Sequence, residues 1–414
     1  MTAKRVVITG IGAVSPLANN AADTWSKLIA GESGIAPIAR FDAADFKVKF
    51  TAEVKNFDPI KYFEAAEVRK LDRFTQYALV AAKEAVTDSG IAGQIAPEKF
   101  GVYVSSGQGG FDTIVESGYT LRDRGPSRVS VNAVVMQAIN LAAGQIAIKY
   151  NAKGACVPVV TACATSANCI GEAFYAIQAG RQDAIIAGGS EAGVHPLVVA
   201  GFQNMYALSR SADQNCASIP FDKRRAGFVL GEGAAIMVLE ELEHAKSRGA
   251  KIYAEVVGYG NTCDAHHITA PHPDGEGLVR AIKLAAETAN LAATEKVYIN
   301  AHGTGTELND KIETLAFKTV FGKRAYDMPC SSTKSALGHM MGAAGAMEAM
   351  VCVKALETGL VPPTLNYREP DPECDMDYIT EGVARKFAAD AALSTNAGFG
   401  GHNCALMFRR YKNK

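Results

Sequence analysis

The sequence predicts an α/β protein with largely buried sheets, and three observations carry that prediction. Short β-rich runs alternate with Ala-rich stretches of helical period along all 414 residues, the pattern of sheets covered by helices. Apolar residues make up 48% and charged residues 21%, the proportions of an ordinary globular chain, which excludes disorder as the dominant state. The 39 glycines gather at short spacing, as in GQGG, AGGSEAG, GHMMGAAG and GFGG. Such spacing marks tight turns and close helix packing rather than a flexible linker.

Taken in order, strands are expected at Val6–Thr9, Phe100–Ser105, Val157–Thr161, Ala184–Ala187, Ala235–Leu239, Ile252–Tyr259, Val297–Ala301 and Ala405–Phe408. Helices are expected at Thr75–Ser89, Ser166–Ala179, Gly277–Ala289 and Gly342–Glu357. At about 150 residues per domain the length allows two or three domains, yet no Pro/Ser linker or charge run divides the chain. A charged helix in EELEHAKSRGAKIYAEV ends at Gly249 before a new strand, which sets the expected boundary between two closely packed halves, 1–250 and 251–414. Each half opens with a strand followed by Gly and turn residues, VVITGIGAVSPL and AEVVGYGNTCD, a hint of internal duplication.

Lys and Arg total 42 against 43 Asp and Glu, a net charge of −1. That balance provides no electrostatic footprint for nucleic acid or an anionic membrane. No apolar run approaches the ~20 residues of a membrane span. The N-terminus enters a strand-like VVITG without a signal-peptide pattern, so a cytoplasmic protein is expected. Nine cysteines lie scattered without CxxC or Cys/His spacing, and neither a disulfide framework nor a zinc site is expected. Cys330 and Cys352 read as small buried hydrophobes.

TGIGAV follows a strand and invites a dinucleotide reading. The third glycine of that fingerprint is absent, with Ser15 in its place and Pro16 beside it, and no acid closes a second strand. The sharpest signal lies in VPVVTACATSANCIGEAFYAIQAG. An apolar strand runs into Cys163 and an Ala-rich helix follows, which places the thiol at the positive end of a helix. There its pKa is expected to fall and backbone N–H groups can hold an oxyanion. Read alone, Cys163 is either a nucleophile or one more packed thiol, and Cys169 inside the helix is expected to be packed.

Two histidine motifs shift that balance. NAHGTGT puts His302 at a strand end, and SSTKSALGHMMGAAGAMEA puts Lys334 before a helix with His339 near its start. One cysteine with two imidazoles suits nucleophilic thioester chemistry, the imidazoles serving as hydrogen-bond donors to an enolate or as a base. His266, His267 and His272 in DAHHITAPHPDG lack partners at ligand spacing, so no metal is expected.

TACATSANCIGEA, NAHGTGT, SSTKSALGHMMGAAGA and GFGGHN together resemble the β-ketoacyl-[acyl-carrier-protein] synthases, above all the elongating type II enzymes of bacterial fatty-acid synthesis. The resemblance spans essentially the whole chain. It implies a thiolase-like fold, two similar halves in a layered α-β-α-β-α arrangement, normally a homodimer. It also implies a decarboxylative Claisen condensation in which Cys163 carries the acyl group and the N–H groups of Cys163 and Phe399 form the oxyanion hole. His302 and His339 would promote loss of the malonyl carboxylate, Lys334 would tune the His339 region, and Glu348 would stand one layer out. Thr304 and Thr306 would bind the phosphopantetheine arm of the acyl carrier protein, and Gly398 and Gly400 would let the Phe399 loop swing as a gate. Phe202, Gln108 and Ala133 would line the acyl pocket. No flavin, nicotinamide or metal is implied, the substrates riding on phosphopantetheine. An acidic carrier calls for a basic patch, offered by Arg69, Lys70 and Arg73, with Arg122, Arg124 and Arg128 as a second cluster.

The chain departs from the resembled pattern at three places. Gln108 stands where Ile is usual, Val131-Asn132-Ala133 replaces Pro-Phe-Phe, and Ala397 stands where Phe is common. Losing a Phe removes roughly 100 Å² or more of bulk, so a reshaped acyl tunnel is expected. A polyketide or polyene ketosynthase shares all four motifs and remains an alternative. A non-condensing partner subunit typically lacks the cysteine that stands here at 163. A coenzyme A thiolase needs a second C-terminal cysteine in a loop, whereas Cys404 reads as part of a strand.

Overall fold

The computed structural model describes residues 3–412. Nine strands form one sheet: β1 (Val6–Val14), β2 (Phe100–Ser105), β3 (Ala184–Glu191), β4 (Gly233–Glu241), β5 (Ala254–Cys263), β6 (Val297–Asn300), β7 (Cys330–Ser331), β8 (Ala391–Gly398) and β9 (His402–Arg409). Their order across the sheet is β2-β3-β4-β1-β5-β9-β8-β6-β7. The topology repeats. From β1 the pairings run antiparallel to β4, antiparallel to β3, then parallel to β2. From β5 they run antiparallel to β9, antiparallel to β8, then parallel to β6. The two sets join through a short ladder of Val6–Ile8 against Ala254–Val256.

Five long helices build the layers: α1 (Arg73–Ser89), α2 (Thr165–Gln178), α3 (Glu276–Thr288), α4 (Glu307–Phe321) and α5 (Ala344–Thr358). The central pair, α2 and α5, pack on each other and touch strands of both halves, while α1 covers one outer face and α3 with α4 the other. Three apolar clusters fill the spaces between these layers. Sequence explains the placement of α5. AGAMEAMVCVKALET is apolar nearly all round, and a helix without a polar face belongs in an interior layer.

The glycines of TGIGAV lie inside β1, which runs on to Val14. A Cβ on Gly10 would stand 2.1 Å from the Ala85 carbonyl oxygen, and one on Gly12 2.0 Å from that of Ala81. They let α1 lie against the strand, and no phosphate turn is formed. Two strands of this sheet escape the sequence reading. AALSTNAG of β8 lacks a β-branched or aromatic run, and β7 is two residues long. The expected strand at Val157–Thr161 is extended but forms no ladder beyond a bridge of Val102 to Cys156. Among the described residues no further strand pairs with it, and Val157 and Val160 are exposed.

Candidate active site

Cys163 sits in a 3₁₀ turn, Ala162–Ala164, directly ahead of α2. Thr161 shapes that turn: its carbonyl accepts the Ala164 N–H at 3.0 Å and its own N–H is donated to Thr165 Oγ1 at 2.9 Å. Ala162 is held at φ +51°, a left-handed conformation that costs a residue with a Cβ about 1–2 kcal/mol. The thiol therefore stands on a strained turn between an extended segment and a helix, not on a strand-to-helix elbow. It lies on the wall of a cavity of about 340 Å³, shared with His302, His339, Phe399, Thr304 and Thr306.

The Phe399 N–H lies close enough to the thiol to favour its ionised form. Glycine is required beside it, since a Cβ on Gly398 would lie 2.7 Å from the Thr161 carbonyl oxygen and 3.1 Å from the Cys163 nitrogen. The Cys163 nitrogen and the Gly398–Phe399 segment therefore lie side by side. Gly400 and Gly401, at φ +89° and +77°, turn the chain from β8 into β9. The expected fall in thiol pKa is not seen. Burial pushes Cys163 up to about 12, outweighing the downward pull of the Lys334 cation and the Phe399 N–H, because desolvation of the thiolate exceeds both. At rest the group is a thiol.

His302 follows β6. The buried Glu313 carboxylate of α4 fixes its backbone, accepting the N–H groups of His302 at 2.7 Å and Gly303 at 2.8 Å, with the Thr395 hydroxyl at 2.6 Å. Two donors face its Nδ1, Lys334 Nζ at 3.3 Å and Asn396 Nδ2 at 3.5 Å. With Nδ1 accepting, the ring proton sits on Nε2. His339 reaches the same state, because its Nδ1 accepts the Met341 N–H at 3.2 Å. The two rings stand edge to face, centroids 5.2 Å apart. Burial, followed by the Lys334 charge, holds both well below the usual histidine value, so each is a neutral Nε2–H donor.

The Lys334 charge lowers His339, as expected, and His302 as well, and its hydrogen-bond contact is with His302. Its ammonium is ion-paired with Glu348, both side chains almost wholly buried, and Asn396 Nδ2 donates to the same carboxylate at 2.5 Å. Lys334 comes from a one-turn helix, Lys334–Leu337, that ends before His339.

Residues 3–245 match the family described as beta-ketoacyl synthase, N-terminal domain, and residues 253–368 its C-terminal domain. The chain belongs to the beta-ketoacyl synthase family. It is 47% identical to 3-oxoacyl-[acyl-carrier-protein] synthase 2 of Synechocystis sp. over 99% of both chains. Among solved structures it resembles a beta-ketoacyl synthase from Burkholderia phymatum, with a TM-score of 0.91, 37% identity, and 99% and 100% of the two chains covered. It also resembles the ketosynthase in a structure of a type II PKS acyl-carrier protein in complex with its ketosynthase bound to the hexaketide. That match has a TM-score of 0.91 and 32% identity, again over 99% and 100% of the chains. The fold is the thiolase-like one of these synthases.

Several residues assigned by family resemblance stand elsewhere. Phe202, Thr304, Thr306 and Gly398 border the cavity, as does Ala397, but Gln108, Ala133 and Gly400 do not. The Gln108 turn is held by the buried Glu191 carboxylate, which accepts Ser106 Oγ and the N–H groups of Gly107, Gln108 and Gly342. Ala133 opens a short helix, Ala133–Gln137, beside that turn. Arg69 and Lys70 are exposed next to the start of α1, and Arg73 faces Asp112 at 3.9 Å. None of the three borders the cavity. Asn396 and Glu313 were missed, although TNAGFGG carries the first beside the gate; the second is one of three acids in α4, with no signal of its own.

Proposed function

We propose that the chain condenses an acyl group held on Cys163 with malonyl-carrier protein, extending it by two carbons as a 3-oxoacyl thioester in fatty-acid synthesis. The observation that carries this is one cavity that holds a buried thiol, the Phe399 N–H and two neutral Nε2–H donors. In the first half-reaction Cys163 Sγ attacks the acyl-carrier thioester. The tetrahedral oxyanion is met by the Cys163 and Phe399 N–H groups, and the carrier thiol leaves with the cysteine proton. In the second, the malonyl carboxylate departs as CO₂ and its electron pair becomes an enolate, held by His302 and His339. The α-carbon attacks the acyl-cysteine, and Cys163 is released as a thiolate that takes a proton from solvent. Neutral donors suit this step, because they stabilise a developing oxyanion without a proton being transferred.

The Thr304 and Thr306 hydroxyls, 2.9 Å apart at the cavity wall, suit the amides of a phosphopantetheine arm. Arg69, Lys70 and Arg73 are assigned to the acidic carrier. The natural division of the chain falls at 250, supported by family matches that end at 245 and resume at 253. A second copy is the partner we assign to the apolar face of Val131, Val134, Ile148, Val157 and Val160, all exposed, where the unladdered Val157–Thr161 segment would gain a neighbour. Among the described residues no helix is long and apolar enough to cross a membrane, which fits a cytoplasmic site of action. Turnover with acyl- and malonyl-carrier proteins tests the proposal: a 3-oxoacyl product two carbons longer and one CO₂ per product are expected. CO₂ release without a longer product would refute it.

A further inference from the structure

We infer that Asn168 is a positioning residue that holds the Cys163 turn by tying it to Tyr259 in the other half of the sheet; the inference rests on Cys163 being the nucleophile. Asn168 is fully buried in the first turn of α2. Its Nδ2 donates to Thr161 Oγ1 at 2.7 Å, and its Oδ1 accepts the Tyr259 hydroxyl at 2.8 Å. Both ends of the carboxamide are therefore engaged, which fixes its orientation. Tyr259, on β5, is equally constrained. Its hydroxyl also reaches Glu172 Oε1 at 3.2 Å, the Tyr175 ring packs 5.1 Å away, and the Tyr175 hydroxyl donates to the Tyr259 carbonyl at 3.1 Å. Gly171 makes the room, since a Cβ there would stand 2.3 Å from the Tyr259 ring.

Thr161 is the point where this clamp acts on the chemistry. Its N–H and carbonyl shape the 3₁₀ turn, and that carbonyl is also the atom nearest the missing Cβ of Gly398. Its hydroxyl is held by Asn168. A left-handed residue with a Cβ, such as Ala162, persists only where its surroundings over-determine it. Asn168 supplies one of those constraints from the helix side and carries it across to β5. Losing it frees Cys163 Sγ to shift relative to the Phe399 N–H, and a displacement of about 1 Å costs about a hundredfold in rate.

The experiment measures single-turnover transfer from octanoyl-carrier protein to Cys163, by intact mass, on the full chain and its variants. Thr161→Val and Tyr259→Phe keep side-chain shape, and Asn168→Asp keeps an acceptor toward both hydroxyls. Expected are loading rates about ten- to a hundredfold lower for Asn168→Ala and Thr161→Val, with the KM for the carrier substrate within twofold. The double variant should be no slower than the slower single, because both changes break one contact, and Asn168→Asp should recover most of the rate. Cys169→Ala, buried in the same helix, should lower the thermal midpoint yet load within twofold of the parent. A parent that never loads refutes the proposed function. A parent that loads, with Asn168→Ala and Thr161→Val loading as fast or their losses multiplying, overturns the inference alone.

Discussion

Replacing Lys334 by Met removes one member of a buried ion pair and a donor to His302 in a single step. The Lys334 and Glu348 side chains are 2% and 3% exposed, so the change leaves a carboxylate buried without its cation. Breaking such a pair costs about 3–5 kcal/mol. His302 Nδ1 also loses its closer donor, at 3.3 Å, which leaves Asn396 Nδ2 at 3.5 Å alone to hold the tautomer that presents Nε2–H to the enolate. Losing one oxyanion donor lowers a rate by about 10²–10³. The double variant Lys334→Met/Glu348→Gln separates the two effects. With no uncompensated charge its stability should return to within about 1–2 kcal/mol of the parent, while malonyl-carrier decarboxylation stays low. Urea unfolding reads the first quantity and CO₂ release the second. A single variant that loses less than about 1 kcal/mol and decarboxylates within threefold of the parent would refute the reasoning.

Four further outcomes follow from particular contacts. Gly398→Ala puts a Cβ 2.7 Å from the Thr161 oxygen and should slow acyl loading of Cys163 by about a hundredfold while fold and thermal midpoint change little, measured by stopped transfer and calorimetry. Gly10→Ala drives a Cβ to 2.1 Å from the Ala85 oxygen and should cost about 1–3 kcal/mol in urea unfolding. Because burial and Lys334 hold His302 and His339 well below the usual histidine value, both stay neutral as pH falls through about 6.5. Decarboxylation rates should therefore be level between about pH 6 and 8, and a loss tracking one ionisation near 6.5 would contradict neutral donors. With the Cys163 thiol pushed up to about 12, iodoacetamide alkylation should quicken about tenfold per unit from pH 7 to 9, and a plateau in that window would contradict a buried thiol.

The chemistry was legible in the sequence because it depends on residue type at a turn. Cys163, His302, His339 and Phe399 meet at one cavity; the last three sit in Gly-rich loops and Cys163 at a turn ahead of an Ala-rich helix, patterns that could be read directly. What failed depended on packing across elements. Lys334 precedes His339 by five residues and its charge does act on that ring, yet its direct contact with His302, which follows another strand, has no local signal. The thiol pKa followed helix polarity in the sequence reading, whereas burial, which no local pattern displays, decides its direction. Gln108 lies in a motif that promised an acyl wall, but it stands outside the cavity, its backbone held by Glu191 from β3. Gly10 and Gly12 resembled a phosphate turn because a glycine required for helix approach looks the same in sequence as one required for a turn. Strand β8 was missed since its Ala, Ser and Asn residues owe their conformation to neighbours on both sides.

Intact-protein mass spectrometry tests the central claim most directly. The parent chain and Cys163→Ala are each mixed with octanoyl-carrier protein and then with malonyl-carrier protein. The account predicts one octanoyl adduct on the parent, located at Cys163, none on the variant, and loss of the adduct as a ten-carbon 3-oxoacyl carrier forms. An adduct on the variant, or one on the parent that malonyl-carrier protein leaves in place, would contradict it.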